Sequence, residues 1–378
     1  MRIGIIGAGI FGLAAALELR QRGHEIIIYE QGTIPNERAA STDLSKVIRR
    51  TNYASPYLEL VERAAGQWQT WHDQLSGAIY YPTGKINIVR DFTRDSPLYQ
   101  TYERLGEGPG GLQILSLPAA RRRFPAFDLR PSDTLIFDPW SGYLRSGQAL
   151  EDLAGLARSN GVEIREECPV SAVDDEGSAV AITLAGTTAH CDRVIVAAGA
   201  WVGQLFPPFA QNVRVSLQQM AFFKPADPAP FAAERYPVWT VPDVEEHWYG
   251  FPISPEGLVK LADDAKGPTA DPDVDRDPTP DFLASAQRFA QDRIPALKDA
   301  ELVGGRACLY TNTPDNDYVI DWISDRVLIA GCGSGHGFKF GGAIGPVVAD
   351  LLEDKPNPLG DAFRIGDRFA DHHTQEPA

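Results

Sequence analysis

The stretch that most constrains this chain is its first thirty residues, MRIGIIGAGIFGLAAALELRQRGHEIIIYE. A short apolar run, Ile3 to Ile6, enters a glycine turn; a helical stretch follows from near Ile10, and a second apolar run ends on Glu30. That order predicts a βαβ unit. Gly7 permits the sharp turn, Gly9 a close approach of backbone to a pyrophosphate, and Gly12 close packing of helix on strand. The helix N-terminus would point its amides at phosphates. Glu30 stands about twenty residues on, where a carboxylate accepts hydrogen bonds from a ribose. The competing reading is a βαβ unit whose glycines serve packing alone.

At 378 residues and 43% apolar composition the chain can bury a large core, and two domains are expected. Its net charge of −16 argues against nucleic acid or an anionic membrane surface as partner. An anionic substrate would need local cations set against that field. Cys168, Cys191, Cys308 and Cys332 form no CxxC pair, which suggests reduced thiols and a cytoplasmic setting. The N-terminal apolar stretch has no basic segment ahead of it and belongs to the nucleotide fold, so no signal peptide is expected. Nor is a membrane span.

After Glu30 comes a polar, turn-rich segment, and then a helical period with Leu60, Ala64, Trp68 and Trp71 on one face. Ile79 to Val89 reads as strand, Gln148 to Asn160 as helix, and Val162 to Arg165 as strand again. A buried strand, Arg193 to Val196, runs into a second glycine turn at Gly199, where the chain returns to its nucleotide domain. The stretch from Val213 to Leu302 leaves again and ends in the acidic, proline-rich ADDAKGPTADPDVDRDPTPD, expected as a solvated surface connection. Arg326 to Ala330 is one more buried strand, GCGSGHGFKFGGAIGPVVADLL makes a glycine turn and a helix, and the tail from about Asp367 reads as frayed.

Three further stretches are chemically unusual. TDLSKVIRR (42–50) sets Lys46, Arg49 and Arg50 in a loop of an acidic chain; LVKL sets Lys260 in a strand-like run; and the third extends from CLYTNTPDNDYVID, opening on Cys308, to GSGHGFKF, holding Lys339. These last two motifs resemble the monomeric sarcosine oxidase branch of the D-amino-acid-oxidase-like flavoproteins, and the resemblance covers essentially the whole chain. It implies an α/β two-domain flavoprotein: a discontinuous Rossmann-like FAD-binding domain (1–76, 142–212 and 303–378) and a mixed-sheet substrate domain with helices (77–141 and 213–302). It also implies a thioether from Cys308 to FAD, a substrate carboxylate held by Arg49 and Lys339, oxygen activation by Lys260, and a substrate-site tyrosine at Tyr249. Beyond Gly7, Gly9, Gly12 and Glu30, cofactor contacts are implied for Ile10, Phe11, Gln31, Ser41, Thr42, Ser45, Lys46, Val170, Ala198, Gly199, Trp201, Gly335, His336, Gly337, Phe338 and Lys339.

The chain departs from sarcosine oxidases in two places. Thr42, Asp43, Leu44, Ser45 and Lys46 replace the family's His-Gly-Asp-Thr-Arg and are closer to fructosyl amino acid oxidases, while Asp264 stands where an active-site histidine is found. Asp264 would receive a cationic group or sugar hydroxyls, or else is a surface residue. Each assignment has a plainer competitor: Cys308 as a small buried hydrophobe, Lys260 snorkelling from a strand edge, Arg49 and Lys339 as surface charges. Cys332 reads as core. His336 has no second ligand at metal spacing, so no metal is expected. The resemblance implies a monomer that oxidises the secondary amine of an amino acid, passing hydride to flavin and then electrons to O2. The alternatives are a flavin dehydrogenase with another acceptor and a non-catalytic dinucleotide-binding module.

Overall fold

The computed structural model describes residues 1–51, 56–75, 77–108, 110–242 and 247–369. The opening stretch forms strand β1 (Arg2–Ile6), helix α1 (Ile10–Gln21) and strand β2 (Glu25–Tyr29). β1 and β2 pair in parallel and extend on one side to Glu163–Arg165. On the other side they extend to Arg193–Val196, Val327–Gly331 and an antiparallel edge strand, Val319–Trp322. A mostly parallel sheet must be covered on both faces, which is why its strands read as apolar runs. Ile3, Ile5, Ile26 and Ile28 pack with α1 and residues of the helices Tyr57–Gln74, Ser146–Ser159 and Gly341–Leu352. Ile6, Ile27, Val194 and Val196 pack on a three-stranded antiparallel sheet within Val170–Cys191. Leu60, Ala64, Trp68 and Trp71 all point inward from their helix, as their spacing predicts.

The second large sheet has eight strands in the order Glu301–Asn312, Arg214–Lys224, Val259–Asp263, His247–Gly250, Val238–Pro242, Lys85–Val89, Thr134–Asp138 and Gln113–Leu115. Its strands alternate. Ile86, Ile88, Trp239, Val241, Trp248, Val259 and Leu261 pack with Ala286, Phe289 and Ala290 of the helix Pro280–Arg293. Residues of the opposite parity, among them Lys85, Thr240, Tyr249, Lys260 and Tyr310, line a cavity instead. The helix thus closes one face and leaves the other for chemistry.

The structure differs from expectation in four local respects, the first being that Lys46–Ile48, expected in a loop, is a strand paired with Gly142–Leu144. Ile79 to Val89 is not one strand but two, Tyr80–Tyr81 and Lys85–Val89, because Pro82 cannot donate to a ladder and Gly84 turns with φ +76°. The helix expected from Gln148 starts at Ser146. The segment boundary expected at 302/303 falls inside the strand Glu301–Asn312, which runs in the eight-stranded sheet. From residue 370 the expected frayed tail lies outside the described residues.

Candidate active site

Two cavities meet between the sheets. The larger, of about 350 Å3, is bounded by the β1–α1 turn (Gly7, Gly9, Ile10, Phe11), by Glu30 and Gln31, by Ser41, Lys46 and Val170, by Ala198, Gly199 and Trp201, and by Tyr310, Gly335, Gly337 and Phe338. The smaller, of about 130 Å3, holds Arg49, Lys85, Tyr249, Lys260, Asp264 and Lys339. Lys46, Tyr310, Gly335 and Phe338 belong to both, so the two cavities share a wall.

The glycine turn behaves as its sequence requires. Gly7 has φ +99°, and a Cβ there would stand 2.5 Å from the Ala197 carbonyl oxygen; at Gly12 it would stand 2.0 Å from the Gly7 carbonyl oxygen. No acidic residue occupies the first turn of α1, and Gly9 at its N-cap has no side chain with which to cap it, so the helix N-terminus presents its positive end to the cavity. The Ile10 amide donates to Ser41 Oγ at 3.2 Å. At the far end of β2, Glu30 Oε2 accepts from the Ala8 amide at 2.8 Å, and Oε1 accepts from Gly32 N at 3.1 Å and Asn36 Nδ2 at 2.8 Å. A fixed carboxylate, a side-chain-free cradle and an open helix N-terminus in one cavity fit the ribose and pyrophosphate of a dinucleotide such as FAD. Gly12→Ala is expected to destabilise the fold by about 1–3 kcal/mol through overpacking and to weaken flavin retention. Unaltered thermal unfolding and flavin content would contradict this.

Six residues expected at the cofactor stand elsewhere. Gly12 packs under the turn rather than facing the larger cavity. Thr42 is buried, its hydroxyl donating to the Asn36 carbonyl at 2.6 Å. Ser45, His336 and Lys339 line the smaller cavity, not the larger. Cys308 lines neither: it is 1% exposed, packed with Met220 and Ala262 and beside Tyr249 and Tyr310 on the cavity face of its strand. Burial pushes its thiol pKa up, against the nearby charge of Lys46. Cys332, expected as core, is buried and also lines the larger cavity. The acidic loop is more than a solvated connection, since Asp273 accepts from Trp201 Nε1 and Gln204 Nε2, both at 2.8 Å, and lines the larger cavity.

The expected reactive residues converge on the smaller cavity. Lys260 and Asp43 form a buried ion pair, their side chains 3% and 1% exposed. The Lys260 ammonium also donates to the Ser45 carbonyl at 2.8 Å and lies 4.8 Å from the centre of the Phe251 ring. Burial lowers its pKa to about 8, Asp43 being the main opposing influence. For Asp43, burial acts upward, but the ammoniums of Lys260 and Lys46 outweigh it and hold the carboxyl below its ordinary value. Lys339 is 3% exposed and donates to the His336 carbonyl at 2.7 Å; burial and Arg49 push its pKa well down. Asp264 is exposed and lines the cavity, its pKa raised by desolvation against the pull of Arg49 and Lys339. Burial likewise raises the Tyr249 phenol, which stays a neutral donor.

His336 has a structural part. Its Nε2 lies 3.0 Å from the Asn316 carbonyl and so donates, leaving Nδ1 to accept from the Tyr318 hydroxyl at 2.9 Å. Burial and the charge of Lys339 lower its pKa to about 3, so it is neutral. Arg50 is structural too, reaching Asp138 at 3.1 Å and stacking 4.9 Å from Trp140. Sequence reasoning missed Asp43, Lys85, Tyr310 and Asp273 as site residues. For Lys85 a signal existed: GKINIV places a lysine in strand alternation just as LVKL does for Lys260. Among the described residues, no cluster of histidine, cysteine and acidic side chains could hold a metal, and no helix is long and apolar enough to cross a membrane.

A βαβ dinucleotide cradle that shares a wall with a small cavity rich in cations defines a flavin-type oxidoreductase site. Residues 2–351 match the FAD dependent oxidoreductase family, and the chain belongs to it. N-methyl-L-tryptophan oxidase of Yersinia pestis (strain Pestoides F) is 28% identical over 364 residues, covering 94% of this chain and 95% of that protein. L-proline dehydrogenase from P. horikoshii superposes with a TM-score of 0.85 at 20% identity over 98% of both chains. The fructosyl amine:oxygen oxidoreductase Amadoriase I of Aspergillus fumigatus does so with 0.81 at 20% identity, over 98% of this chain and 90% of that one. The expected α/β flavoprotein fold and the expected family are therefore both borne out.

Proposed function

We propose that the protein is an FAD-dependent oxidase acting on the secondary amine of an amino acid, whether N-alkyl, cyclic or glycated. The observation that carries this reading is the convergence of Arg49, Lys339, Lys260 and Tyr249 on one small cavity that abuts the glycine cradle. The similarity to N-methyl-L-tryptophan oxidase over nearly the whole chain supports it. FAD, when bound, supplies the hydride acceptor and delivers the electron pair to O2 as peroxide. Arg49 and Lys339 clamp the substrate carboxylate, fixing the amine and its C–H against the shared wall. Asp264, its carboxyl pKa raised, accepts the ammonium proton, so that the nitrogen lone pair is available as hydride leaves. The resulting imine is hydrolysed by water. Lys260 supplies the cation for the oxygen step, and the protein works as a soluble monomer in the cytoplasm.

We also propose that Cys308 holds FAD through a thioether. Acid precipitation of the protein is then expected to leave yellow colour in the pellet, and Cys308→Ser to release it; colour in the supernatant of the parent protein would contradict the link. One observation favours a second reading, with an acceptor other than O2: the Asp43 carboxylate balances the charge of Lys260. A peroxide-coupled screen over N-methyl, cyclic and fructosyl amino acids separates the two. The oxidase reading expects one peroxide per substrate consumed. Oxidation seen only with an added dye would replace it with the dehydrogenase reading.

A further inference from the structure

The smaller cavity holds a cation that the proposed reaction leaves unused. Lys85 is 0% exposed at the start of its strand, on the parity that faces the cavity. Its ammonium donates to Asn87 Oδ1 and, at 2.8 Å, to Thr240 Oγ1. Both partners are neutral. Among the described residues no carboxylate comes within ion-pair distance of Lys85, and Asp138, opposite it in the sheet register, is already engaged by Arg50 at 3.1 Å and Ser141 at 2.6 Å. A buried ammonium held only by neutral groups is costly to maintain.

Among the described residues, Asp138 and Asp264 favour its charge, but burial and Arg49 outweigh them. Arg49 and Lys339 share its sign, and Asp264 is the one carboxylate among the described lining residues. Lys46 and Lys260 add positive charge that Asp43 balances only in part. An amino acid with one carboxylate and one ammonium brings no net charge to such a site. A second carboxylate would.

We propose that Lys85, steered by Asn87 and Thr240, seats a second carboxylate of the substrate, which is then a secondary-amine amino acid of the dicarboxylate class. This rests on reading Arg49 and Lys339 as the anchors of the first carboxylate. The protonation balance points the same way: burial, and next the charge of Arg49, push the Lys85 pKa well down, and an arriving anion reverses that influence. Binding of a dicarboxylate therefore draws a proton into the site.

The test uses the holoenzyme with two ligands that cannot be oxidised as amines, succinate and propionate, titrated by calorimetry in buffers of different ionisation enthalpy. Succinate is expected to bind at least about tenfold more tightly, the effect of one charge-assisted hydrogen bond, and with proton uptake. Lys85→Met, checked for flavin content and thermal unfolding, is expected to bring the two ligands to parity. Equal binding by the parent, a comparison that needs no variant, would overturn the proposal, as would a preference that survives in Lys85→Met. A turnover arm compares N-methylaspartate with N-methylalanine in both configurations, with the expected kcat/KM ratio at least about tenfold in the parent and near one in Lys85→Met. A succinate preference without oxidation of any N-methyl, cyclic or fructosyl amino acid would leave the anion seat standing and remove the amine-oxidase reading. Oxidation of both amines at equal rates would do the reverse.

Discussion

Lys260→Met is expected to slow reoxidation of the reduced flavin by about a hundred- to a thousandfold, the range seen when a preorganised charge partner is removed from a developing anion. Anaerobic reduction by substrate should change far less, because Lys260 binds no part of the amino acid in this scheme. The ion pair with Asp43 gives the effect a pH signature. The working form is the ammonium, and burial lowers the Lys260 pKa to about 8. Reoxidation should therefore be level below that pH and fall as pH rises through it. Asp43→Asn removes the main influence opposing burial and should move the fall to lower pH. Stopped-flow mixing of reduced enzyme with aerated buffer measures both. If Lys260→Met reoxidises as fast as the parent, O2 is not the acceptor that this cavity serves.

Arg49→Met and Lys339→Met are each expected to lower kcat/KM for an amino acid substrate by about ten- to a hundredfold, since each removes a charge-assisted hydrogen bond from a closed site. The two should not add simply, because both are proposed to act on one carboxylate and each lies within the other's electrostatic reach. An amine lacking the carboxylate should be a poor substrate for the parent and nearly indifferent to both changes. Steady-state kinetics on an acid and its decarboxylated amine test this. A full loss on the decarboxylated amine would mean that these residues support the cavity rather than bind the carboxylate.

What could be read from the sequence was what local order determines. The turn at Gly7, the acid Glu30 and the inward face of Leu60, Ala64, Trp68 and Trp71 lie within single elements or directly at their ends, where spacing alone fixes direction. The motifs around Cys308 and Lys339 were equally legible, as was the return of the chain at Gly199. The partnership of Asp43 with Lys260 was not: the two are 217 residues apart and meet only when a loop beside the nucleotide unit is laid against the central strands of the other sheet. Lys85 escaped for a related reason. Its strand alternation was visible, but whether that face met solvent, core or cavity depended on the helix Pro280–Arg293 covering the opposite side. Cys308 shows the converse limit. Its motif was plain, while its burial against Met220 and Ala262, outside both cavities, needed the sheet.

Amino acid oxidation is proposed to take place where the two cavities meet. Anaerobic mixing of the holoenzyme with N-methylated, cyclic and glycated amino acids, each paired with its decarboxylated amine, tests it most directly through the visible absorption of the flavin. At least one of the acids is expected to bleach the flavin within the mixing experiment while its amine does so at least about tenfold more slowly. A flavin that dithionite bleaches but none of these acids does, or one that acid and amine bleach at equal rates, would contradict it.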